Sequence, residues 1–461
     1  MVDYLIKNGL IVTLDKQRRI IKDGAIAIEG DKIIDVGKTD ELSKKYSADT
    51  VIDARDRIVG PGFVDAHTHV SAEQLVRGFV PDTAGSDEWV FDWISYIYAG
   101  VTDEDEYYSS LHSFIECIKT GTTSFCDGGT IHNLPSTIRA MEKVGIRGVI
   151  GKWIWDIPKE PKRMALDTKE ALRESEDAVR KFDKANGGMV RVWPMVIGDY
   201  PIACTDELLT GSKEIADRYK VGFSFHQSIT PREVRESIEK NGMRPIEQFE
   251  KLGILDKNLR LVHMIQLSDH EVDLLAKYDV KVVHCPTTAL RLAYGATATG
   301  KFPEMLQKGV CVSLGCDGTN SSNMVDMGRA VYLAAGLFKD CRMDINMIPA
   351  ETALEMGTIN GARSMLQEEE IGSIEAGKKA DIVLFDRTRI EWTPLFNVVN
   401  SYVYTADGKS ADTVFINGKI VLEKGKMVGI DEKEISDKVQ ELGEGLISRV
   451  NLKTTMKWPV V

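Results

Sequence analysis

Residues 63–70 read FVDAHTHV, with His67 and His69 two positions apart after an apolar run. On a β-strand such positions share one face, so both imidazoles would aim at one point, an arrangement that suits a metal ion. A lone His-x-His is more often one buried and one solvated histidine, so the pair gains weight only from what the fold brings to it. Three further residues have the right chemistry. His226 follows VGFSF, His263 follows LRLV, and Asp317 follows VCVSLGC. Each closes a short apolar run. Four of the chain's 8 histidines and one aspartate therefore share one register, the downstream end of a strand-like segment. One such placement is easily accidental; five together point to a cation.

The elements that must position them recur in a βα rhythm. Strand-like segments fall at 58–67, 122–127, 147–154, 189–197, 221–227, 259–265, 280–286 and 310–317. Amphipathic stretches such as DEYYSSLHSFIECIKTG and TKEALRESEDAVRKFDKANG separate them. Eight βα units predict an α/β fold, a (β/α)8 TIM barrel whose chemistry collects at the C-terminal strand ends. The chain ends read differently. Residues 1–57 alternate Val/Ile-rich runs with Asp-Gly and Gly-Asp turns, and the same texture returns at 378–386 and 411–428. This predicts a small β-sandwich domain from both ends (1–57 and 367–430), a barrel over 58–366, and a C-terminal helical extension over 431–461.

Composition narrows the function classes. The 461 residues are 43% hydrophobic and 28% charged, ordinary for a globular chain. A net charge of −12 argues against nucleic acid or an anionic membrane as the main partner. The seven cysteines include no C-x-x-C pair, so a disulfide framework is not expected. The first eight residues carry charge and no apolar signal-type region follows them. A cytoplasmic location is the expectation.

Several motifs carry a resemblance. PGFVDAHTH, TGTTSFCD, HCPTTALRLAYG, LGCDGTNSSNMVDM and GSIEAGKKADIVLFD together resemble the amidohydrolase superfamily. The similarity is to the branch containing S-adenosylhomocysteine, guanine and cytosine deaminases and s-triazine hydrolases. The resemblance implies one divalent ion held by His67, His69, His226, His263 and Asp317. Zinc is the default for such ligands, with iron the alternative. No lysine stands where a two-metal relative would carry one; strand four ends in VIGDY. The implied chemistry is attack by a metal-activated hydroxide, with Asp317 as general acid and base. A small-molecule substrate and a homodimer or homotetramer are also implied.

Two departures from that branch stand out. Ile229 occupies the last position of a His-x-x-Glu pattern, and Gln266 the last of a His-x-x-His pattern. Isoleucine cannot carry a proton, and glutamine can hydrogen-bond but not titrate. Glu73 and His284 are the candidates for the missing proton transfers. Gln266, Gln227, Arg77, Trp89, Trp93 and Trp155 are candidate substrate contacts, although such tryptophans more often pack and such an arginine more often sits in an ion pair. Trp153 and Trp193 are equally ambiguous. Asp127 is expected to support the barrel top, and His112, His132, His270 and Cys316 to stay outside the ligand set. The departures favour hydrolysis at an amide, urea, carbamate or triazine carbon. The alternatives are a purine- or pyrimidine-type aminohydrolase and a catalytically silent metal-binding protein.

Overall fold

Eight parallel strands alternate with helices from Phe63 onward. The computed structural model describes residues 1–157, 161, 164, 166–405, 407–454 and 458. The barrel strands are Phe63–His69, Thr122–Asp127, Arg147–Ile150 with Trp153–Ile154, Val190–Val192 with Met195–Gly198, Phe223–Gln227, Leu259–His263, Lys281–His284, and Val312–Leu314 with Asp317–Gly318. All seven residues of the first strand are buried, without polar alternation, because a parallel sheet covered on both faces has no solvent side.

The barrel closes through its eighth strand. Val312–Leu314 pairs with strand seven, and Asp317–Gly318 pairs with Thr68 and His69 of strand one. Gly315 lies between the two halves, where a Cβ would stand 2.6 Å from the His67 carbonyl oxygen. Only glycine lets strand eight cross there and deliver Asp317 beside the first strand.

The chain ends meet in one nine-stranded sheet. Val2–Val12 pairs with Ile20–Glu29, Ala48–Asp53 and Arg57–Pro61. Arg57–Pro61 pairs antiparallel with Ile382–Asp386, which continues through Ala411–Ile416 and Lys419–Glu423. The sheet curls on itself: Ile33 N donates to the Lys378 carbonyl at 2.9 Å, and Ala380 N to that of Asp31 at 2.9 Å. Ile6, Ile26, Ile33, Val59, Ile382 and Phe415 fill the enclosed core. The expected first barrel strand, 58–67, is thus two strands. Arg57–Pro61 belongs to the small sheet, and the barrel begins only after Gly62, because the chain changes sheet at Pro61-Gly62.

The helix Glu432–Val450 closes the chain against Asp103–Lys119, with Arg449 Nε donating to the Gly100 carbonyl at 2.9 Å. Among the described residues no helix is long and apolar enough to cross a membrane. All seven cysteines are free thiols.

A buried ion pair fastens sheet to barrel. Arg147 Nε, on barrel strand three, donates to Asp381 Oδ2 at 2.9 Å, and both side chains are 2% exposed. Asp381 Oδ1 accepts Asn417 N at 2.7 Å. Removing one partner strands the other charge in a dry junction, at a cost of about 3–5 kcal/mol, whereas replacing both is often nearly neutral. Asp381→Leu should therefore lower stability to urea by that amount, and Arg147→Met with Asp381→Leu should recover most of it.

Candidate metal centre

At the C-terminal mouth of the barrel five side chains converge. His67 Nε2 and His69 Nε2 lie 3.5 and 3.6 Å from Asp317 Oδ1, and His263 Nε2 lies 3.8 Å from Asp317 Oδ2. His226 Nε2 is 3.1 Å from His67 Nε2. The ligand atoms of His67, His226 and His263 all lie within 4.8 Å of one another, as do those of His67, His69 and Asp317. Cys285 Sγ also comes within that distance of His263 and Asp317, from the barrel interior, where it packs against Ala66, Val262 and Val283. Sequence reasoning gave it no role.

The donor chemistry fits a cation. His226 Nδ1–H donates to the Ile197 carbonyl at 2.6 Å, which leaves the Nε2 lone pair pointing at His67. Burial drives the pKa of His67, His69 and His263 well below the imidazole range, and lowers that of His226. Four neutral imidazoles around one carboxylate present lone pairs to a common centre, the donor set of a zinc-type site. Backbone strain marks the same rim. Asp199, Ser228, His263 and Asp317, at or just past the ends of strands four, five, six and eight, have φ of +49°, +54°, +74° and +63°. Non-glycine residues held there cluster at functional sites. Small residues make room: a Cβ on Gly128 would stand 2.2 Å from His69 Cε1.

Buried carboxyls hold the centre from behind. Asp65 Oδ1 accepts His67 N at 3.2 Å and Cys316 N at 3.0 Å, tying strands one and eight together, and burial pushes its pKa up to about 7. Asp127 accepts Val70 N at 3.3 Å and the Thr130 hydroxyl at 3.1 Å, the supporting role its position suggested. Glu73 accepts Asn320 N at 3.0 Å and the Tyr98 hydroxyl. It lies behind Tyr98 and against Gly318, and burial raises its pKa well above the carboxylate range.

The centre opens into a narrow cleft at the barrel mouth. Trp89, Tyr98, Trp153, Trp155 and Tyr294 supply aromatic wall, and Ile94, Ile197 and Ile229 aliphatic wall. Trp89 and Trp155 thus line the cleft. So does Trp153, whose ring meets His69 edge-on at 5.8 Å, whereas Trp193 is core. Tyr98, Tyr294 and Asp199 were not foreseen. Asp199 follows VIG at the end of strand four and obeys the same strand-end rule that located the histidines.

Six expected site residues lie outside the cleft, among them the proton-transfer candidate Glu73, whose carboxyl is taken by Asn320 N and the Tyr98 hydroxyl. The side chain of His284 points out of the barrel, stacked on Phe302 at 4.0 Å, because Val283 and Cys285 take the inward positions of that strand. Gln227 alternates away from the cleft in the same way. Its amide donates to the Tyr200 carbonyl at 3.1 Å and accepts Tyr200 N at 3.1 Å. Gln266 lies in an outer groove with Arg244 and Thr299, since the chain turns at His263 and Met264. Arg77 is consumed by Glu116 and by Gln74 Oε1 at 2.6 Å. Trp93 donates to Glu88 at 3.3 Å and packs on Phe79.

Comparison with known proteins gives the same class. The sequence matches the amidohydrolase family over residues 58–421, and the chain belongs to that family. It is 34% identical over 452 residues to a 5-methylthioadenosine/S-adenosylhomocysteine deaminase of Thermoanaerobacter pseudethanolicus, covering 97% of this chain and 100% of that one. It is also 34% identical over 452 residues to a 5'-deoxyadenosine deaminase of Methanosarcina barkeri, covering 98% and 100%. Among solved structures it resembles a zinc-bound adenosine deaminase from Xanthomonas campestris, with TM-score 0.89, 26% identity and coverage of 97% and 99%. An atrazine chlorohydrolase from Arthrobacter aurescens shares the fold at TM-score 0.86 and 22% identity, covering 95% and 100%. The protein is a metal-dependent hydrolase acting on a C–N bond of a small molecule.

Two outcomes follow from this geometry. His226→Ala removes one donor and should weaken zinc retention at least ~10-fold, read by elemental analysis after dialysis. His284 is held neutral by burial, with its pKa pushed down to about 3. The unfolded chain takes up that proton near pH 6.5 and the folded chain does not, so stability falls as pH drops below 6.5. Between pH 7 and pH 5 this contributes about 2 kcal/mol of loss, which His284→Leu should remove from the pH dependence of urea unfolding.

Proposed function

We propose that this chain is a mononuclear zinc aminohydrolase, with iron as the alternative metal, that removes the exocyclic amino group of an adenosine-type nucleoside. One observation carries the reading: Asp317 lies 3.5, 3.6 and 3.8 Å from three imidazoles on the floor of a cleft walled by aromatic rings. The relatives named above, deaminases of adenosine derivatives matched over nearly the whole chain, support it. An ion held by His67, His69, His226, His263 and Asp317 would supply acidified water and charge compensation. Asp317 takes a proton from the attacking water and returns it to the departing amine. The faces of Trp89, Trp153 and Tyr294 suit a planar heterocycle, and the cleft's aliphatic side keeps bulk water from the reacting carbon.

Ile229, which faces the cleft, favours a second reading, hydrolysis of an amide-, urea- or triazine-type carbon that needs no ring protonation. The proposal otherwise takes one ion per chain, a homodimer or homotetramer, and a cytoplasmic setting that suits seven free thiols.

Ammonia release should be measured on adenosine, 5'-deoxyadenosine, 5-methylthioadenosine and S-adenosylhomocysteine, beside guanine, amino-triazines and ureas. The expected result is nucleoside turnover that chelation abolishes and zinc restores, reduced at least ~1,000-fold by Asp317→Asn. Turnover of triazines or ureas alone would move the assignment to the second reading.

A further inference from the structure

Ile229 leaves the cleft without a proton-bearing or hydrogen-bonding group where the resemblance leads one to look for glutamate. The neighbouring strand offers a carboxyl. Asp199 follows strand four, whose Gly198 pairs with His226 of strand five, and Asp199 and Ile229 line the same cleft. The backbone of Asp199 is fully engaged: its N donates to the His226 carbonyl at 3.1 Å, and its carbonyl accepts Ile202 N at 2.7 Å. Its side chain is not. Oδ1 is buried with no hydrogen-bond partner among the described residues, at a residue held with φ of +49°. Gly198 precedes it at φ +94°, where a Cβ would stand 1.9 Å from the His226 carbonyl oxygen, so the turn that presents the carboxyl requires glycine.

An unsatisfied buried carboxyl oxygen is costly, and such groups persist where a ligand completes them. The other groups near it are occupied among themselves. Arg232 pairs with Asp87 at 2.8 Å, and Glu233 caps its helix by accepting Ile229 N at 3.0 Å and Thr230 N at 2.8 Å. We infer that Asp199 is the substrate-binding carboxyl of this site. It accepts a hydrogen bond from an N–H of the heterocycle's amino or ring-nitrogen edge, and so fills from strand four the place that Ile229 vacates on strand five. The inference rests on the aminohydrolase reading for the identity of the ligand, not for the existence of the contact.

The test uses the zinc-loaded full chain in three forms: wild type, Asp199→Asn, and Asp199→Asn with Ile229→Glu. With the best nucleoside from the ammonia screen, Asp199→Asn should lose at least ~100-fold in kcat/KM at unchanged zinc content, and adding Ile229→Glu should restore at least ~10-fold. A loss under threefold would overturn the inference, and so would a large loss that the added Ile229→Glu does not repair. A second readout needs no substrate. A carboxyl kept for a ligand burdens the empty protein, so Asp199→Asn, which keeps the left-handed backbone at φ +49°, should raise the thermal midpoint; a lowered midpoint makes Asp199 structural and overturns the inference. If the wild type deaminates no nucleoside, the aminohydrolase reading fails by itself, and the thermal midpoint still decides whether Asp199 is a ligand-directed group.

Discussion

Two imidazole nitrogens 3.1 Å apart, each held neutral by burial, are the constraint around which the barrel mouth is organised. Lone pairs at that separation repel unless a proton or a cation lies between them. With His69, His263 and the Asp317 carboxyl closing on the same centre, a bound cation would relieve the repulsion of all five groups at once. The rest of the mouth reads as the means of holding that arrangement. Asp65 pins the amides of His67 and Cys316, Ile197 orients His226, and left-handed backbone at His263 and Asp317 aims their side chains inward.

The five converging residues were legible because their signal is local. A short apolar run that ends in histidine or aspartate carries both the strand and the end of the strand, and the barrel rule converts that into position. The side of each strand was harder to read. Side chains alternate with period two, so an error of one residue moves a candidate from the cleft to the helical layer. His284 and Gln227 each stand next to an inward-facing position and point the other way. Gln266 and Arg77 lie beyond turns whose direction tertiary packing sets, and no sequence pattern records it. Asp199 carried the right signal, a carboxyl after a strand, but VIGDY read only as evidence about the number of metals. The first barrel strand was placed too early because Pro61-Gly62 interrupts an apolar run without a change of composition.

Buried acids recur behind the site, and their role there is mechanical. Glu106 accepts His132 N at 2.7 Å together with Asn133 N and the Ser71 hydroxyl, which braces the loops after strands one and two. Glu73 does the same for the loop after strand eight through Asn320. Each carboxyl gathers amide donors that a loop would otherwise leave to water. The loops that frame the cleft are thereby fixed by carboxyls set behind it, and aromatic and aliphatic side chains keep most of its wall.

The curled sheet at the chain ends has a consequence for biosynthesis. Arg57–Pro61 leaves the ribosome early, yet its antiparallel partner Ile382–Asp386 emerges roughly three hundred residues later. At ordinary elongation rates of about 5–20 residues per second, that interval lasts tens of seconds. Throughout it the nascent N-terminal strands present an open hydrogen-bonding edge, flanked by isoleucines that belong inside. Until Ile382–Asp386 arrives, the half-sheet lacks the strand that covers this edge.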